Sequence, residues 1–137
     1  MKLLITNKKE SRDVLAYFGK FHDAYIHAFT FRSHYETTSA GENLFPGFDI
    51  IITFAHSGYA AYNPPTRKVR AEFLNVSCLN FEVKSVQSSE LLISEVQINS
   101  CSNSTFEFQI EFNEFDDTER PNLRFRFERA IVTEGSE

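Results

Sequence analysis

Glycine, cysteine and long apolar runs are scarce in this chain, and tryptophan is absent. Its 137 residues include 5 Gly and 2 Cys. The sequence contains neither a glycine-rich loop of the kind that cradles phosphate nor the Gly-x-Ser-x-Gly turn of many hydrolases. No apolar run approaches the length of a bilayer crossing, so we expect no membrane-spanning segment and no membrane partner.

The first residues and the cysteines both suggest a cytoplasmic protein. The apolar run Leu3-Leu4-Ile5 is too short for a secretory signal. In a reducing compartment Cys78 and Cys101 are expected to be free thiols, and a disulfide between them would require the fold to bring them together. They lack the Cys-x-x-Cys spacing of redox or zinc sites. The apolar neighbours of Cys78 predict that it lies in the core.

The charge balance bears on possible partners. The formal net charge is -5 and the sequence pI is about 5.4. Such acidity argues against nucleic-acid binding, since phosphate contacts need Lys and Arg. It is compatible with a basic protein partner, and equally with solubility alone.

One helix is predicted near the N-terminus, over residues 9–18. Asn7 and Glu10 have the spacing of a capping box, with Ser11 as a competing N-cap. Val14, Leu15 and Phe18 follow at helical spacing, and Gly19 is placed to end the helix in a left-handed conformation. A helix this short must pack against the rest of the protein to be stable.

The remainder of the chain favours β-structure, because 15 Phe and an aromatic content of 15% suit pleated, half-buried surfaces. Turn signals at Pro46-Gly47 and Asn63-Pro64-Pro65 separate the apolar segments. A bulge is expected near Glu95, where the alternation is interrupted. Residues 3–6 form either a short opening strand or a docked terminus. The other predicted strands cover 25–34, 48–54, 69–74 with a continuation over 76–83 beyond a break near Asn75, 91–99, 106–112 and 123–128.

The C-terminal third has the clearest pattern. Phe106, Phe108, Ile110 and Phe112 alternate with polar residues, and after a loop at 113–121 Leu123, Phe125 and Phe127 do the same. This predicts an antiparallel hairpin with one apolar and one charged face, in which Glu and Arg side chains meet across the strands. A slip of one residue would expose the Phe row, so the register should be firm.

These segments predict a single domain over residues 1–137. It should be mainly β, either an antiparallel sandwich or a strongly curved sheet of six to seven strands, with one short N-terminal helix. The length suits one hydrophobic core.

No catalytic, metal or cofactor signature emerges from the residues. The spacings of His22, His27 and His34 match no standard zinc pattern. His22-Asp23 could be half of a catalytic relay, but the sequence supplies no recognisable nucleophile beside it. We expect instead that Asp23 accepts backbone hydrogen bonds at a corner, with His22 in a half-buried slot there. No catalytic residue, metal ligand or cofactor site is assigned.

Two loops supply candidate partner contacts. Tyr59 and Tyr62 lie in the loop from about 56 to 66, where their rings could form a contact surface or cover the end of the sheet. A second loop is acidic and is either a solvated connection or a site for a basic partner. Its candidate contacts are Glu114, Asp116, Asp117 and Glu119.

The tetrapeptide Phe21-His22-Asp23-Ala24, following a short helix, resembles the mark of a group of small bacterial immunity proteins and related uncharacterised domains. The segment Arg70-Ala71-Glu72-Phe73-Leu74-Asn75-Val76 is similar to a strand that recurs in that group, and Phe125-x-Phe127-x-x-Ala130 is in keeping with it. The resemblance implies a protein that binds and neutralises a toxin without catalysis. It also implies that the tetrapeptide is a structural motif.

The sequence therefore predicts a non-catalytic binding protein, with a basic toxin as the implied partner. An alternative is a small-molecule-binding β domain with a Phe-lined cavity. A further alternative, an enzyme using His22 and Asp23, would need both side chains exposed in a cleft.

Overall fold

A computed structural model describes residues 2–34, 36–44, 47–57, 66–82, 92–101, 104–112 and 122–135. Within these ranges ten strands, one α-helix and one short 3₁₀ turn are present. In chain order they are β1 (Lys2–Ile5), α1 (Lys8–Tyr17), the 3₁₀ turn (Gly19–Phe21), β2 (Ala24–Ser33), β3 (Glu36–Thr37), β4 (Asn43–Leu44), β5 (Phe48–Ser57), β6 (Thr66–Glu82), β7 (Ile93–Ser100), β8 (Phe106–Phe112), β9 (Asn122–Phe127) and β10 (Arg129–Gly135).

Eight of these strands form one strongly curled antiparallel sheet with the shape of a half-barrel. One half has the order β2-β5-β6-β10-β1 and the other has the order β6-β9-β8-β7. The two halves share β6, whose first part pairs with β5 and β10 and whose last part pairs with β9. The predicted mainly-β class is confirmed in its curved-sheet form. β3 and β4 pair only with each other in the described ranges.

The long strand β6 bends where it passes from one half to the other. Asn75 and Cys78 both have φ of 54°, a left-handed conformation that interrupts the pleat. The register against β9 shifts between Ser77 and Asn80. On the neighbouring strands the chain breaks at Glu128, between β9 and β10. The break predicted near Asn75 is therefore a bend within one continuous strand.

The concave side of the sheet is filled with phenylalanine rings. The ring centroid of Phe73 lies 4.7 Å from that of Phe108, 5.0 Å from that of Phe125 and 5.0 Å from that of Phe127. All four side chains are almost completely buried. Phe73 comes from the first half and the others from the second, so this cluster holds the two halves together.

The C-terminal hairpin has the predicted register. Phe106 pairs with Phe127, Phe108 with Phe125 and Ile110 with Leu123, which places every apolar side chain on the concave face. On the opposite face the Glu107 and Arg126 side chains lie 4.0 Å apart. The alternating pattern excludes every odd shift of this register, because such a shift would expose the Phe row.

The helix has the predicted start and end. The Asn7 side chain accepts a hydrogen bond of 2.8 Å from the Glu10 backbone N–H, and Glu10 in turn accepts from the Thr6 backbone and hydroxyl. Gly19 follows the helix with φ of 59°, which a glycine adopts without steric cost. Val14 is buried in the core cluster and anchors the helix to it. No helix in the described ranges is long and apolar enough to cross a membrane.

Three features differ from the sequence-based expectations. Cys78 is exposed rather than in the core, at a left-handed position where the pleat is interrupted, although both cysteines are free as expected. The strand β10, which pairs with both β1 and β6, was not predicted. Between the strands predicted at 25–34 and 48–54, where no strand was predicted, the chain forms the β3–β4 pair around a turn in which Gly41 N–H donates to Thr38 O.

We predict that Phe73→Ala lowers the free energy of unfolding by about 3–5 kcal/mol, because it empties the centre of the ring cluster. Phe31→Ala removes the same side chain from a position that is 54% exposed, and it should cost about 1 kcal/mol or less. Urea denaturation of both variants is the measurement. Equal losses would contradict the assignment of Phe73 to the centre of the core.

Candidate functional site

The six predicted partner contacts lie outside the described residues. Tyr59 and Tyr62 fall within 58–65, and Glu114, Asp116, Asp117 and Glu119 fall within 113–121. Their assignment stays a prediction. Within the described residues, three features could have a functional role: the tetrapeptide, a buried carboxylate on β5 and a group of partly exposed aromatic rings.

The apolar members of the tetrapeptide, Phe21 and Ala24, are buried. The ring centroid of Phe21 lies 5.1 Å from that of Phe18 and 4.4 Å from that of Phe54. Ala24 is completely inaccessible at the start of β2. Phe21 has φ of 57° and Asp23 has φ of 63°, so the chain turns sharply between the helix and the strand.

The polar members, His22 and Asp23, join the start of β2 to the start of β7. The Asp23 N–H donates to Ile93 O at 2.9 Å, and the His22 Nδ1 lies 2.7 Å from Ser94 O. Since a carbonyl oxygen can only accept, Nδ1 carries the hydrogen. A β-bridge between Tyr25 and Leu92 continues this seam. The tetrapeptide thus links β2, at one edge of the first half, to β7, the outermost strand of the second half.

The His22 ring is 58% exposed, so the half-buried slot predicted for it is wrong. The ring extends outward from the corner because its Nδ1 is held at the strand backbone. Its Nε2 lies 3.4 Å from Asp23 Oδ2, on a side chain that is 40% exposed. Both ring nitrogens therefore face groups of the same corner.

Asp49 is 4% exposed, and its carboxylate contacts three other residues. Arg32 donates to its Oδ2 from Nε at 3.2 Å and from Nη2 at 2.8 Å. His34 Nε2 lies 2.8 Å from its Oδ1, and the Asn75 backbone N–H donates to the same oxygen at 3.0 Å. Both carboxylate oxygens are therefore satisfied, as a buried charge requires.

The environment of Asp49 shifts two ionisation equilibria. Burial alone would raise the pKa of this carboxyl, but the bonds from His34, Arg32 and Asn75 outweigh burial and hold the pKa below its usual value. The hydrogen bond to Asp49 in turn raises the pKa of Arg32. We therefore treat Asp49 as a charged structural anchor.

The anchor extends from Asp49 to the bend of β6 and the break between β9 and β10. The Asn75 side chain donates from Nδ2 to Glu128 Oε2 at 2.9 Å, and the Glu128 N–H donates to Leu74 O at 3.0 Å. Sequence reasoning placed Asp49 in a strand but missed this role. The available signal was a lone carboxylate within the otherwise apolar Phe48–Phe54 run.

Four aromatic side chains lie on the inner side of the sheet at one open end of the half-barrel. We call Phe29, Phe31, Phe48 and Phe81 the aromatic rim. The ring centroids of Phe31 and Phe48 are 4.5 Å apart and those of Phe29 and Phe81 are 4.8 Å apart. Phe29 and Phe48 pack against the core, whereas Phe31 and Phe81 are exposed.

Sequence reasoning assigned Phe29 and Phe31 to a strand but did not identify the rim. Their register places them opposite Ile52 and Ile50, which are fully buried, so the pattern alone indicates core positions. Phe31 is nevertheless 54% exposed, and Phe29 is only partly buried against the core.

No group of three His, Cys, Asp or Glu side chains within the described ranges is arranged to hold a metal ion. Comparison with known proteins adds no identity: no protein-family model matches the chain, and neither a curated protein nor a solved structure matches it. The resemblance to immunity proteins stays a prediction.

We predict that Asp49→Asn lowers the free energy of unfolding at neutral pH by about 1.5–3 kcal/mol, the range for hydrogen bonds to charged groups. Because the folded pKa of Asp49 lies below 3.8, its charge stabilises the fold above that value. That stabilisation is lost as the pH falls through the lower folded pKa. Denaturant titrations from about pH 7 to about pH 2 should therefore show the two proteins converging in stability only in acid.

The control for this experiment is Asp13→Asn, at an exposed carboxylate on α1. It should leave the stability unchanged within about 0.5 kcal/mol. If the Asp49→Asn protein were as stable as the wild type at neutral pH, Asp49 would not be an anchor of the fold.

The bend of β6 provides a second test. Asn75→Gly and Asn75→Ala both lose the bond to Glu128, but glycine accepts the observed φ of 54° and alanine does not. Asn75→Ala should therefore be the less stable of the two by about 1 kcal/mol. Thermal unfolding measures the difference, and equal stabilities would show that the left-handed conformation is not needed.

Proposed function

We propose that this chain is a non-catalytic binding protein that neutralises a protein partner by surface complementarity, in the manner of an immunity protein. The observation that carries the proposal is the aromatic rim. Phe31 is 54% exposed although it lies on the face of the sheet that is otherwise buried. Exposed aromatic groups of this kind are typical of interaction sites.

The rim is well suited to bind a rigid surface. Its rings are already stacked in pairs, so a partner would order few new side chains on binding. Aromatic side chains also dominate the energetics of many protein interfaces when they fill pockets on the partner.

The backbone beneath the rim is anchored. Arg32 and Asp49 face each other across the β2–β5 ladder, next to the pair formed by Ser33 and Phe48. Their side chains bond on the outer face, while Phe31 and Phe48 occupy the inner face at the same end. Loss of the anchor would therefore disturb the rim without touching a partner.

Electrostatics favour a basic partner. The net charge of -5 would speed its association by long-range attraction. In this proposal a basic toxin is the partner, and Glu114, Asp116, Asp117 and Glu119 contribute to steering. Tyr59 and Tyr62 are further candidate contacts.

The second candidate function is binding of a small apolar molecule. The supporting observation is that Phe29 and Phe48 connect the rim to the core. An apolar ligand placed between the two ring pairs would contact aromatic surface on several sides. The rings at the centre of the fold already pack on one another, so the rim is where such a ligand would bind.

The test is capture of partners from the source cell with tagged protein, followed by native mass spectrometry of the complexes. We expect a stoichiometric basic protein with wild type and its loss with Phe31→Ser. The control is Arg12→Ser, because Arg12 is exposed on α1, outside the rim. Its variant should retain the partner.

Two outcomes would overturn the proposal. A small bound mass that disappears with Phe31→Ser would establish the ligand-binding alternative. A protein partner that is kept with Phe31→Ser would show that the rim is not part of the interface.

Charge reversal of Glu114, Asp116, Asp117 and Glu119 tests the steering part separately. Once a partner has been identified, the association rate constant of the charge-reversed variant should be lower than that of the wild type by about tenfold or more at low salt. The difference should be smaller at high salt. Unchanged association kinetics would exclude the acidic loop from the encounter.

A further inference from the structure

A second surface lies away from the rim, along the edge strand β1. In the described ranges β1 pairs with β10 alone, so its other edge presents backbone groups without a strand partner. Helix α1 follows β1 after a two-residue connection and packs beside it. An edge strand next to a helix is the arrangement that accepts an additional strand in several peptide-binding folds.

A pocket of about 360 Å³ lies between β1 and α1. Leu3 and Leu4 both line it, although neighbouring residues of a strand point to opposite faces. The pocket therefore extends around the open edge of β1 instead of lying on one face. Val14 and Tyr17 supply its helical wall.

The lining of this groove is apolar in the middle and charged at its ends. Leu4 and Tyr17 are 46% and 55% exposed, an unusual amount of apolar surface for two neighbouring elements. Lys2, the first residue of β1, is at one end of the strand. Glu10 is at the other end, since its carboxylate accepts from Thr6 just after the strand.

We propose that this groove binds an extended peptide segment of a partner protein, which adds a strand to the open edge of β1. The segment carries a basic and an acidic residue four positions apart, with an apolar residue midway between them. Residues at i, i+2 and i+4 of a strand share one face, and the span from Lys2 to Thr6 has the same length.

Each part of this signature has a counterpart in the groove. The basic residue meets Glu10 and Asp13, and Asp13 is exposed with no charged partner in the described part of the chain. The acidic residue meets Lys2, and the apolar residue contacts Leu4 and Tyr17. The capping contacts of Glu10 hold one of these carboxylates in place before the peptide arrives.

The test begins with the full chain and a phage-displayed library of random peptides about nine residues long, a length that covers the strand with a margin at each end. We expect the enriched sequences to share the basic-x-apolar-x-acidic pattern in one of its two directions. Amide NMR shifts on adding a selected peptide should concentrate in Lys2–Ile5 and α1. Enriched sequences without the pattern, or shifts centred elsewhere, would overturn the proposal.

Backbone pairing and charge recognition are tested separately. The selected peptide is N-methylated in two sets, one at its odd-numbered residues and one at its even-numbered residues. One of the two sets should lose binding, because strand addition uses every second N–H of the peptide. Tight binding by both methylated sets would rule out strand addition.

Asp13→Lys should weaken the peptide by about tenfold, the effect expected of a charge-assisted hydrogen bond. The matched control is Glu111→Lys, an exposed carboxylate on β8 outside the groove, which should change the affinity by less than about twofold. Equal effects of the two variants would mean that net charge alone determines the peptide affinity, and this would overturn the groove assignment.

Self-association must also be measured, because β1 of a second copy could occupy the same edge. Sedimentation of the wild-type chain should show a monomer at concentrations where the peptide binds. A dimer that Leu4→Lys dissociates, and that the selected peptide cannot disrupt, would assign the edge to a second copy and overturn the peptide proposal. Failure of the peptide proposal would not affect the function proposed for the rim, since neither Phe31 nor Phe81 lines the groove.

Discussion

The fold depends on a buried carboxylate that fixes the bend of its longest strand. Asp49 holds the backbone of Asn75 where β6 passes from one half of the sheet to the other, and Asn75 in turn holds Glu128. A regular strand continues straight, without the interruption that β6 has at Asn75 and Cys78. The bend instead places Phe73 against the rings of the second half. A polar interaction on the outer face therefore determines how the apolar inner face packs.

The two proposed surfaces arise at the places where this curled sheet is incomplete. The aromatic rim forms where Phe29, Phe31 and Phe48 of the first half meet Phe81 of the second, and Phe31 and Phe81 are exposed there. The groove forms at β1, where the sheet ends and α1 lies alongside. An open curled sheet has such margins, whereas a closed barrel removes its strand edges by pairing them.

The features that the sequence predicted are those with a local signal. Alternating Phe residues at 106–112 predicted the hairpin and the face that each residue occupies, and Asn7 with Glu10 predicted the helix start. The missed features depend on contacts between distant segments. Asp49 looks like any solvent-facing strand residue until Arg32 and Asn75 are placed beside it, and Phe31 looks like core until the cover of the sheet is known. Cys78 was misassigned because its prediction relied on its apolar neighbours, whereas the chain bends at this residue in a left-handed conformation and leaves it exposed.

The sharing of β6 between the two halves has a consequence for how the protein opens. Because one continuous strand supplies hydrogen bonds to β5 and β10 at one end and to β9 at the other, neither half can separate without breaking the strand that serves both. The most protected amides should therefore lie along the paired parts of β6, and they should exchange with solvent only through global unfolding. Partial opening is confined to elements attached on one side, such as β1 and the far part of β2. The margins proposed as binding surfaces are thus the parts of the sheet that can fluctuate while the centre stays intact.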